Sequence, residues 1–179
     1  MSQYHTKDGK AFTIRQPNAD DAEAIIAYAK LMFASTDQVL TTSEEYNITV
    51  EQERSWVTRP QHEASTFILI AEQNGNIIGL LDFSAKPKKK MMHSGEFGVS
   101  VHPDYRGLGI GRVLIQTLLI WVKRNPQIEK VLLNVFASNI NAISLYKTLG
   151  FLEEGRQLRA IKQPSGEYID LIQMYIDVR

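Results

Sequence analysis

The sequence contains no cysteine. This absence excludes disulfide bonds, a cysteine nucleophile and zinc sites with cysteine ligands, and it is consistent with a reducing compartment. Histidine is scarce as well, since only four are present and their scattered positions give no metal-ligand spacing. The sequence therefore predicts chemistry that needs no metal.

Net charge and long apolar runs are also lacking. The 20 basic and 20 acidic residues cancel, so overall charge gives no reason to expect nucleic acid or an anionic membrane as a partner. No run approaches the roughly 20 apolar residues that a membrane-spanning helix needs. The N-terminal residues 1–16 have no stretch typical of a signal peptide. We therefore expect a cytoplasmic protein.

The remaining composition is typical of one α/β domain over residues 1–179. Hydrophobic residues make up 44% and charged residues 22%, close to the averages for globular proteins, and no repeat or linker divides the chain. Periodicity and turn residues predict the order β-α-α-β-β-β-α-β-α-β-β, with strands of both orientations in one sheet. The predicted ranges are 11–15, 22–33, 43–59, 66–72, 76–83, 91–101, 112–124, 130–136, 139–149, 152–161 and 168–178.

A glycine-rich turn at residues 102–112 is the most informative segment. A predicted strand runs into it and a predicted helix follows at once. The turn holds three glycines spaced two apart, Gly107, Gly109 and Gly111. Glycines let successive backbone N–H groups point to one side, and the helix start adds unpaired N–H groups and a positive dipole end. Such a turn suits a phosphate or pyrophosphate, with Arg106 and Arg112 adding charge-assisted hydrogen bonds.

Glycines alone would equally suit a tight connection without a ligand. Two other phosphate-binding motifs fit poorly. A P-loop needs Gly-Lys followed by Ser or Thr, whereas Arg112 and Val113 follow the last glycine here. A dinucleotide-binding fold needs G-x-G-x-x-G early in the chain, whereas residues 107–111 read Gly-Leu-Gly-Ile-Gly and come late.

Two linear motifs carry a family resemblance. Residues 106–111 read Arg-Gly-Leu-Gly-Ile-Gly, and residues 139–151 read Asn-Ile-Asn-Ala-Ile-Ser-Leu-Tyr-Lys-Thr-Leu-Gly-Phe. They resemble the Arg/Gln-x-x-Gly-x-Gly/Ala signature and the Asn-x-x-Ala-x-x-Leu-Tyr-x-x-x-Gly-Phe block of the GNAT superfamily of N-acetyltransferases. The resemblance implies a mixed, mostly antiparallel sheet with a central splayed pair of parallel strands and helices on both faces.

The resemblance further implies acetyl-CoA as cosubstrate. Its pyrophosphate would lie on the backbone N–H groups of residues 106–112. Its pantetheine arm would pair with the strand edge where residues 99–101 splay from residues 132–136. Asn139 matches a family position that contacts the cofactor, although asparagine is also a favoured helix N-cap. The implied cofactor-binding residues are Val99, Ser100, Val101, Arg106, Gly107, Leu108, Gly109, Ile110, Gly111, Arg112, Asn139 and Tyr146.

Two residues are implied in catalysis of direct transfer to a primary amine. Tyr146 matches the family tyrosine proposed to protonate the leaving thiolate, and the alternative is a packing aromatic. Glu96 is the candidate base, water relay or ammonium-binding group, and the alternative is a solvated strand charge. Strand alternation puts it on the face of Gly98, Ser100 and His102, whereas His93 faces the other side. A backbone N–H near residues 99–101 would hold the oxyanion.

The acceptor amine is the least determined part of the prediction. In relatives the segment between the first two helices, here residues 33–46, usually forms the acceptor pocket. It contains Asp37, Glu44 and Glu45, which suit either a cationic acceptor such as a polyamine or the first turn of a helix. We expect a small molecule such as a free amino acid, with a polyamine or a protein N-terminus as alternatives.

Two functions from other classes stay open at this point. One is a catalytically silent CoA-binding sensor, against which the intact Tyr146 argues. The other is a nucleotide-binding protein that uses the glycine turn for ATP. It would be stabilised by ATP and not by CoA. Family members often form homodimers, and nothing in the sequence fixes the oligomeric state.

Overall fold

The computed structural model describes residues 2–179, which contain eight strands and four α-helices. The strands are β1 (Ser2–His5), β2 (Ala11–Arg15), β3 (Thr66–Gln73), β4 (Asn76–Ala85), β5 (Ser94–Val101), β6 (Lys130–Phe136), β7 (Leu152–Lys162) and β8 (Tyr168–Asp177). The helices are α1 (Ala22–Ala34), α2 (Val50–Thr58), α3 (Ile110–Arg124) and α4 (Ile140–Thr148). Short 3₁₀ turns lie at Ala19–Asp21, Arg59–Gln61 and Pro103–Tyr105.

The predicted element order is confirmed, with three differences. The sequence prediction missed β1, and it began β5 at Met91, whereas residues 91–93 form a turn before Ser94. It also began α2 at Ser43, which is wrong. The helix begins at Val50 because Thr49 and Gln52 form a reciprocal capping box, each side chain bonding the other's backbone N–H.

All strands form one sheet in the order β1-β2-β3-β4-β5-β6-β8-β7. Every neighbouring pair is antiparallel except β5 and β6, which are parallel. This parallel pairing covers only residues 94–96 and 130–132. Beyond it β5 still pairs with β4 as far as Val101, and β6 still pairs with β8 as far as Phe136. The two central strands therefore separate after Glu96, and the expected splayed pair is confirmed.

Helices cover both faces of the sheet, as expected. On one face α3 packs closely, since a Cβ on Gly79 of β4 would lie 3.1 Å from side-chain atoms of both Ile110 and Leu114. On the other face Ile25 of α1 and Val57 of α2 form a second buried cluster with the sheet. The layer order places the open edge of β5 between the two sets of helices. No helix among the described residues is long and apolar enough to cross a membrane.

Candidate active site

The glycine turn that follows β5 presents free backbone N–H groups. Gly107 and Gly109 have φ angles of 77° and 94°, which side chains rarely adopt, and Gly109 is the N-cap of α3 without any side-chain cap. The first amides of α3 therefore lack intrahelical acceptors and point out of the helix start. The N–H of Arg106 donates to the carbonyl of Pro103 at 3.3 Å. The available group of amides is thus residues 107–112, one residue shorter than expected.

Two arginine side chains brace this turn. Arg106 donates through Nε to the carbonyl of Val101 at 3.3 Å and through Nη2 to Ser35 Oγ at 3.1 Å. Arg112 donates through Nη2 to Thr148 Oγ1 of α4 at 2.7 Å. A guanidinium has five N–H donors, so each arginine keeps donors free for an anion held at the turn.

The splay leaves one edge of β5 unpaired at Val99, Ser100 and Val101. Their other edge pairs with β4 opposite Leu81, Leu80 and Gly79. An unpaired strand edge is a template for another extended chain with amide groups. Only residues 102–106, which include the 3₁₀ turn Pro103–Tyr105, separate this edge from the free N–H groups of residues 107–112, so the open strand edge and the free amides follow closely along the chain.

Tyr146 of α4 lies on the α3 face of the sheet. Its side chain is 8% exposed and packs edge-on against Phe97 and Phe151, with ring centroids 6.1 and 6.0 Å away. Its hydroxyl has no hydrogen-bond partner among the described residues. No such side-chain atom is both unpaired and fully buried, so the hydroxyl keeps some solvent contact. Burial raises the pKa of Tyr146 to about 12, which keeps the phenol protonated at neutral pH.

Asn139 begins α4 as its N-cap. Its side-chain oxygen accepts a hydrogen bond from the N–H of Ala142 at 3.2 Å. The capping role is therefore present in the structure. The amide nitrogen of the same side chain is not used by this cap, so capping and ligand binding are compatible.

Glu96 lies where β5 and β6 part, and both of its oxygens are engaged. Lys86 Nζ lies 2.9 Å from Glu96 Oε2, and Asn134 Nδ2 of β6 donates to Oε1 at 2.6 Å. The side chain is 35% exposed, so it is a fixed and partly shielded carboxylate. His93 is exposed and lies in the turn before β5. Its carbonyl accepts bonds from the backbone N–H groups of residues 129 and 130.

A cavity of about 390 Å³ lies on the α1 and α2 face of the sheet. Register pairs Asp82 with Gly98, which puts both on this face. Tyr28 of α1 also reaches this face, with its hydroxyl 3.0 Å from Ser100 Oγ. The lining side chains include Ile25, Phe33, Tyr46, Glu53, Trp56 and Asp82.

Two carboxylates in this cavity are poorly solvated. Burial raises the pKa of Asp82 to about 6, and the negative charge of Glu96 adds to the effect. Glu53 is only 5% exposed, and burial raises its pKa although a hydrogen bond from Tyr46 acts in the opposite direction. Neither carboxylate forms a salt bridge within the part of the chain that the structure describes.

The carboxylates expected to serve the acceptor do not line this cavity. Asp37, Glu44 and Glu45 are all exposed. Residues 44 and 45 precede α2 by several positions, so their interpretation as helix-start charges is wrong as well. Glu45 instead accepts bonds from the N–H and hydroxyl of Thr42, which lower its pKa. Only the ends of the expected segment, Phe33 and Tyr46, reach the cavity.

Sequence reasoning missed Asp82 and Glu53. Asp82 had a usable signal, because it is the only charged residue in the strand run Ile-Ile-Gly-Leu-Leu-Asp-Phe of residues 77–83. Glu53 lies among other charged residues of α2 and had no comparable signal. No cluster of three or more potential metal ligands occurs within residues 2–179.

Comparisons with known proteins agree with this geometry. The family model described as the acetyltransferase (GNAT) family matches residues 33–151. An N-alpha-acetyltransferase of Sulfurisphaera tokodaii is 32% identical over 155 residues, covering 82% of this chain and 84% of that protein. The L-amino acid N-acetyltransferase AaaT of Escherichia coli is 23% identical, with coverages of 86% and 97%.

Two further similarities concern a polyamine enzyme and a solved structure. The spermidine N(1)-acetyltransferase of Vibrio cholerae is 28% identical, covering 74% of this chain and 75% of that protein. The structure of yncA, an acetyltransferase from Salmonella typhimurium with its cofactor acetyl-CoA, superimposes with a TM-score of 0.82. It is 22% identical and covers 94% of both chains, so this likeness concerns the fold.

Proposed function

Because the chain belongs to the acetyltransferase (GNAT) family, we propose that it moves the acetyl group of acetyl-CoA directly to a primary amine of a small molecule. One observation carries the proposal. The unpaired edge of β5 is followed, after the short 3₁₀ turn Pro103–Tyr105, by the free amides of residues 107–112. A ligand with a chain of amides at one end and a pyrophosphate at the other matches that order of groups.

The cosubstrate would be held mainly by backbone. The N–H groups of residues 107–112 and the start of α3 would bind its pyrophosphate, with Arg106 and Arg112 supplying positive charge. The pantetheine amides would pair with the edge at residues 99–101, and Asn139 would contact the cosubstrate near the splay. Backbone donors bind without the entropy cost of fixing long side chains, which suits a site that must release CoA after each turnover.

The reaction would run in one step from thioester to amide. The neutral amine attacks the thioester carbon, and a backbone N–H at residues 99–101 stabilises the oxyanion. The C–N bond forms, the C–S bond breaks, and Tyr146 donates its hydroxyl proton to the leaving thiolate. The proton that the amine loses balances the one that Tyr146 supplies. Since the chain has no cysteine, no thiol acyl-enzyme is involved.

Glu96 is the proposed acceptor of the amine's proton, through a water molecule. Its bonds from Lys86 and Asn134 hold the carboxylate at the mouth of the splay, on the face where the cavity opens. A fixed carboxylate at that position can receive a proton without a side-chain rearrangement.

Binding and turnover can be tested in one plate. Thermal stability is measured with acetyl-CoA, CoA and ATP, and thiol release is followed with amino acids, polyamines and short peptides. A ligand of the folded state at 100 times its Kd adds about 2.7 kcal/mol. We expect stabilisation by both CoA forms and thiol release with an amine. Stabilisation by CoA without thiol release for any amine would support a CoA-binding sensor instead. Stabilisation by ATP alone would refute acetyl-CoA as the cosubstrate.

Location and assembly complete the proposal. A cytoplasmic location suits a cysteine-free chain. A homodimer stays a prediction from the family resemblance, and light scattering of the purified protein would measure it.

A further inference from the structure

The cavity between α1, α2 and β4 contains negative charge and no positive charge. Asp82 and Glu53 line it, and none of its lining residues is lysine, arginine or histidine. Carboxylates with little solvent are costly unless a partner of opposite charge or several hydrogen-bond donors compensate them. Such a cavity is complementary to a cation.

The Asp82 end of the cavity lies against the splay. Asp82 pairs with Gly98, which is two residues beyond the last pairing of β5 with β6. A Cβ on Gly98 would lie only 3.1 Å from Asp82 Oδ1, so the glycine provides the space that the carboxylate occupies over β5. An ammonium held by Asp82 would therefore lie beside the strand edge that is proposed to bind the thioester arm.

The rest of the cavity suits an apolar chain with a second polar end. Ile25, Phe33 and Trp56 line its walls, and aromatic faces attract cations as well as methylene groups. Glu53 lies on α2 and Asp82 on β4, so the two carboxylates reach the cavity from different elements.

We propose, resting on the acetyl transfer proposed above, that this cavity binds the acceptor and selects a diamine or polyamine over a free α-amino acid. One ammonium is held at Asp82 and loses one proton through water to solvent to become the neutral nucleophile, the methylene chain lies along the apolar wall, and a second ammonium lies at Glu53. An α-carboxylate next to the reacting amine would meet Asp82 and Glu96 without any cationic partner lining the cavity. Such like-charge contacts reject a competing substrate.

The charge states agree with this assignment. Burial raises the pKa of Asp82 to about 6, so it is ionised at the pH of a neutral assay and can pair with an ammonium. The nearby Lys86 is already paired with Glu96, and Asp82 has no salt-bridge partner among the described residues.

Three substrates with the same five-carbon chain test the proposal. 1,5-Diaminopentane has both amines, pentylamine lacks the second amine, and L-lysine adds a carboxylate beside one amine. Because each charged contact is worth about tenfold or more in affinity, we expect kcat/KM for 1,5-diaminopentane to exceed that of pentylamine and of L-lysine by at least about tenfold. A higher kcat/KM for L-lysine, or equal values for the three, would overturn the diamine assignment while the acetyltransferase proposal stands.

A matched pair of variants on α2 separates the two ends of the cavity. Glu53→Gln should bring the ratio of 1,5-diaminopentane to pentylamine close to one. Glu51→Gln, an exposed residue on the same helix, should leave the ratio as in the wild type. A ratio that Glu53→Gln does not change would overturn the role of Glu53. If Glu53→Gln fails to fold, the three substrates measured with the wild-type protein still test the diamine assignment. A wild-type protein that releases no thiol with any amine would overturn both the diamine assignment and the proposed acetyl transfer.

Discussion

Replacing Asp82 with asparagine should make the folded protein more stable at neutral pH and less active. Folding raises the pKa of this carboxyl from its ordinary 3.8 to about 6. The unfolded chain therefore loses the proton first as pH rises, so the destabilisation of the folded state begins at about pH 3.8 and is fully present above about pH 6. At about 1.36 kcal/mol for each pKa unit, the cost is about 3 kcal/mol at pH 7.5.

The Asp82→Asn variant removes this cost but buries an amide in its place. We expect a net gain of about 1–3 kcal/mol in the free energy of unfolding at pH 7.5, measured by urea denaturation. At pH 4.5 the wild-type carboxyl is protonated in the folded state, so the gain should shrink by about 2 kcal/mol. With 1,5-diaminopentane, kcat/KM should fall about tenfold or more, because the reacting ammonium loses its partner.

A control carboxylate makes the stability result specific. Asp37 is exposed, and Asp37→Asn should change the free energy of unfolding by no more than about 0.5 kcal/mol at either pH. Two results would refute the reasoning about Asp82. One is a loss of stability in Asp82→Asn at pH 7.5, and the other is a gain that does not depend on pH.

Four shorter predictions concern the other parts of the molecule. Tyr146→Phe should lower kcat about 10²-fold or more and leave KM for acetyl-CoA unchanged. An unchanged kcat in steady-state assays would exclude Tyr146 as the general acid. Glu96→Gln should lower kcat/KM over pH 6–9, whereas full activity throughout would remove it as the base. Gly107→Ala should reduce the thermal shift with acetyl-CoA, because φ is 77° there. The control variant is Gly155→Ala, because a Cβ at Gly155 would meet no other atom within 4 Å. Its thermal shift with acetyl-CoA should equal that of the wild type. Asp21→Asn should cost about 1–2 kcal/mol in urea at pH 7, because two 2.7 Å bonds from Arg15 lower the pKa of Asp21. That contribution should disappear as pH falls through the folded-state pKa.

The fold was largely predictable because its strands and helices carry strong local signals. Alternating or continuous apolar runs defined the strands, and glycine or proline marked their ends. The start of α2 was not predictable from caps alone. Ser43 followed by acidic residues and Thr49 followed by Gln52 are both plausible N-termini in the sequence. The β1 strand is four residues long and pairs with β2 alone. Because it is stabilised by this pairing and not by a local sequence pattern, the sequence did not indicate it.

The candidate site divides in the same way. Its cosubstrate half consists of contiguous segments, the glycine turn and the motif that contains Tyr146, so linear patterns reveal it. Its acceptor half combines Glu53 from α2 with Asp82 from β4, and only folding brings these elements together. The carboxylates of residues 33–46 were therefore a poor guide, since Asp37, Glu44 and Glu45 are exposed while the carboxylates that line the cavity are Glu53 and Asp82.

The gap between β5 and β6 explains how one short strand can serve both halves of the proposed reaction. Alternation puts Phe97 on the face of Tyr146 and Gly98 on the face of Asp82. If β6 paired with β5 along its whole length, the sheet would separate these faces and an amine could not reach a thioester on the other side. The splay removes that barrier at one point only, after Glu96. The bond from Asn134 of β6 to Glu96 ties the strands together where their pairing ends. On this reasoning, Asn134→Ala should lower kcat, because it removes the bond that connects β5 and β6 at the start of the splay. The substrate preference set by Glu53 should stay unchanged.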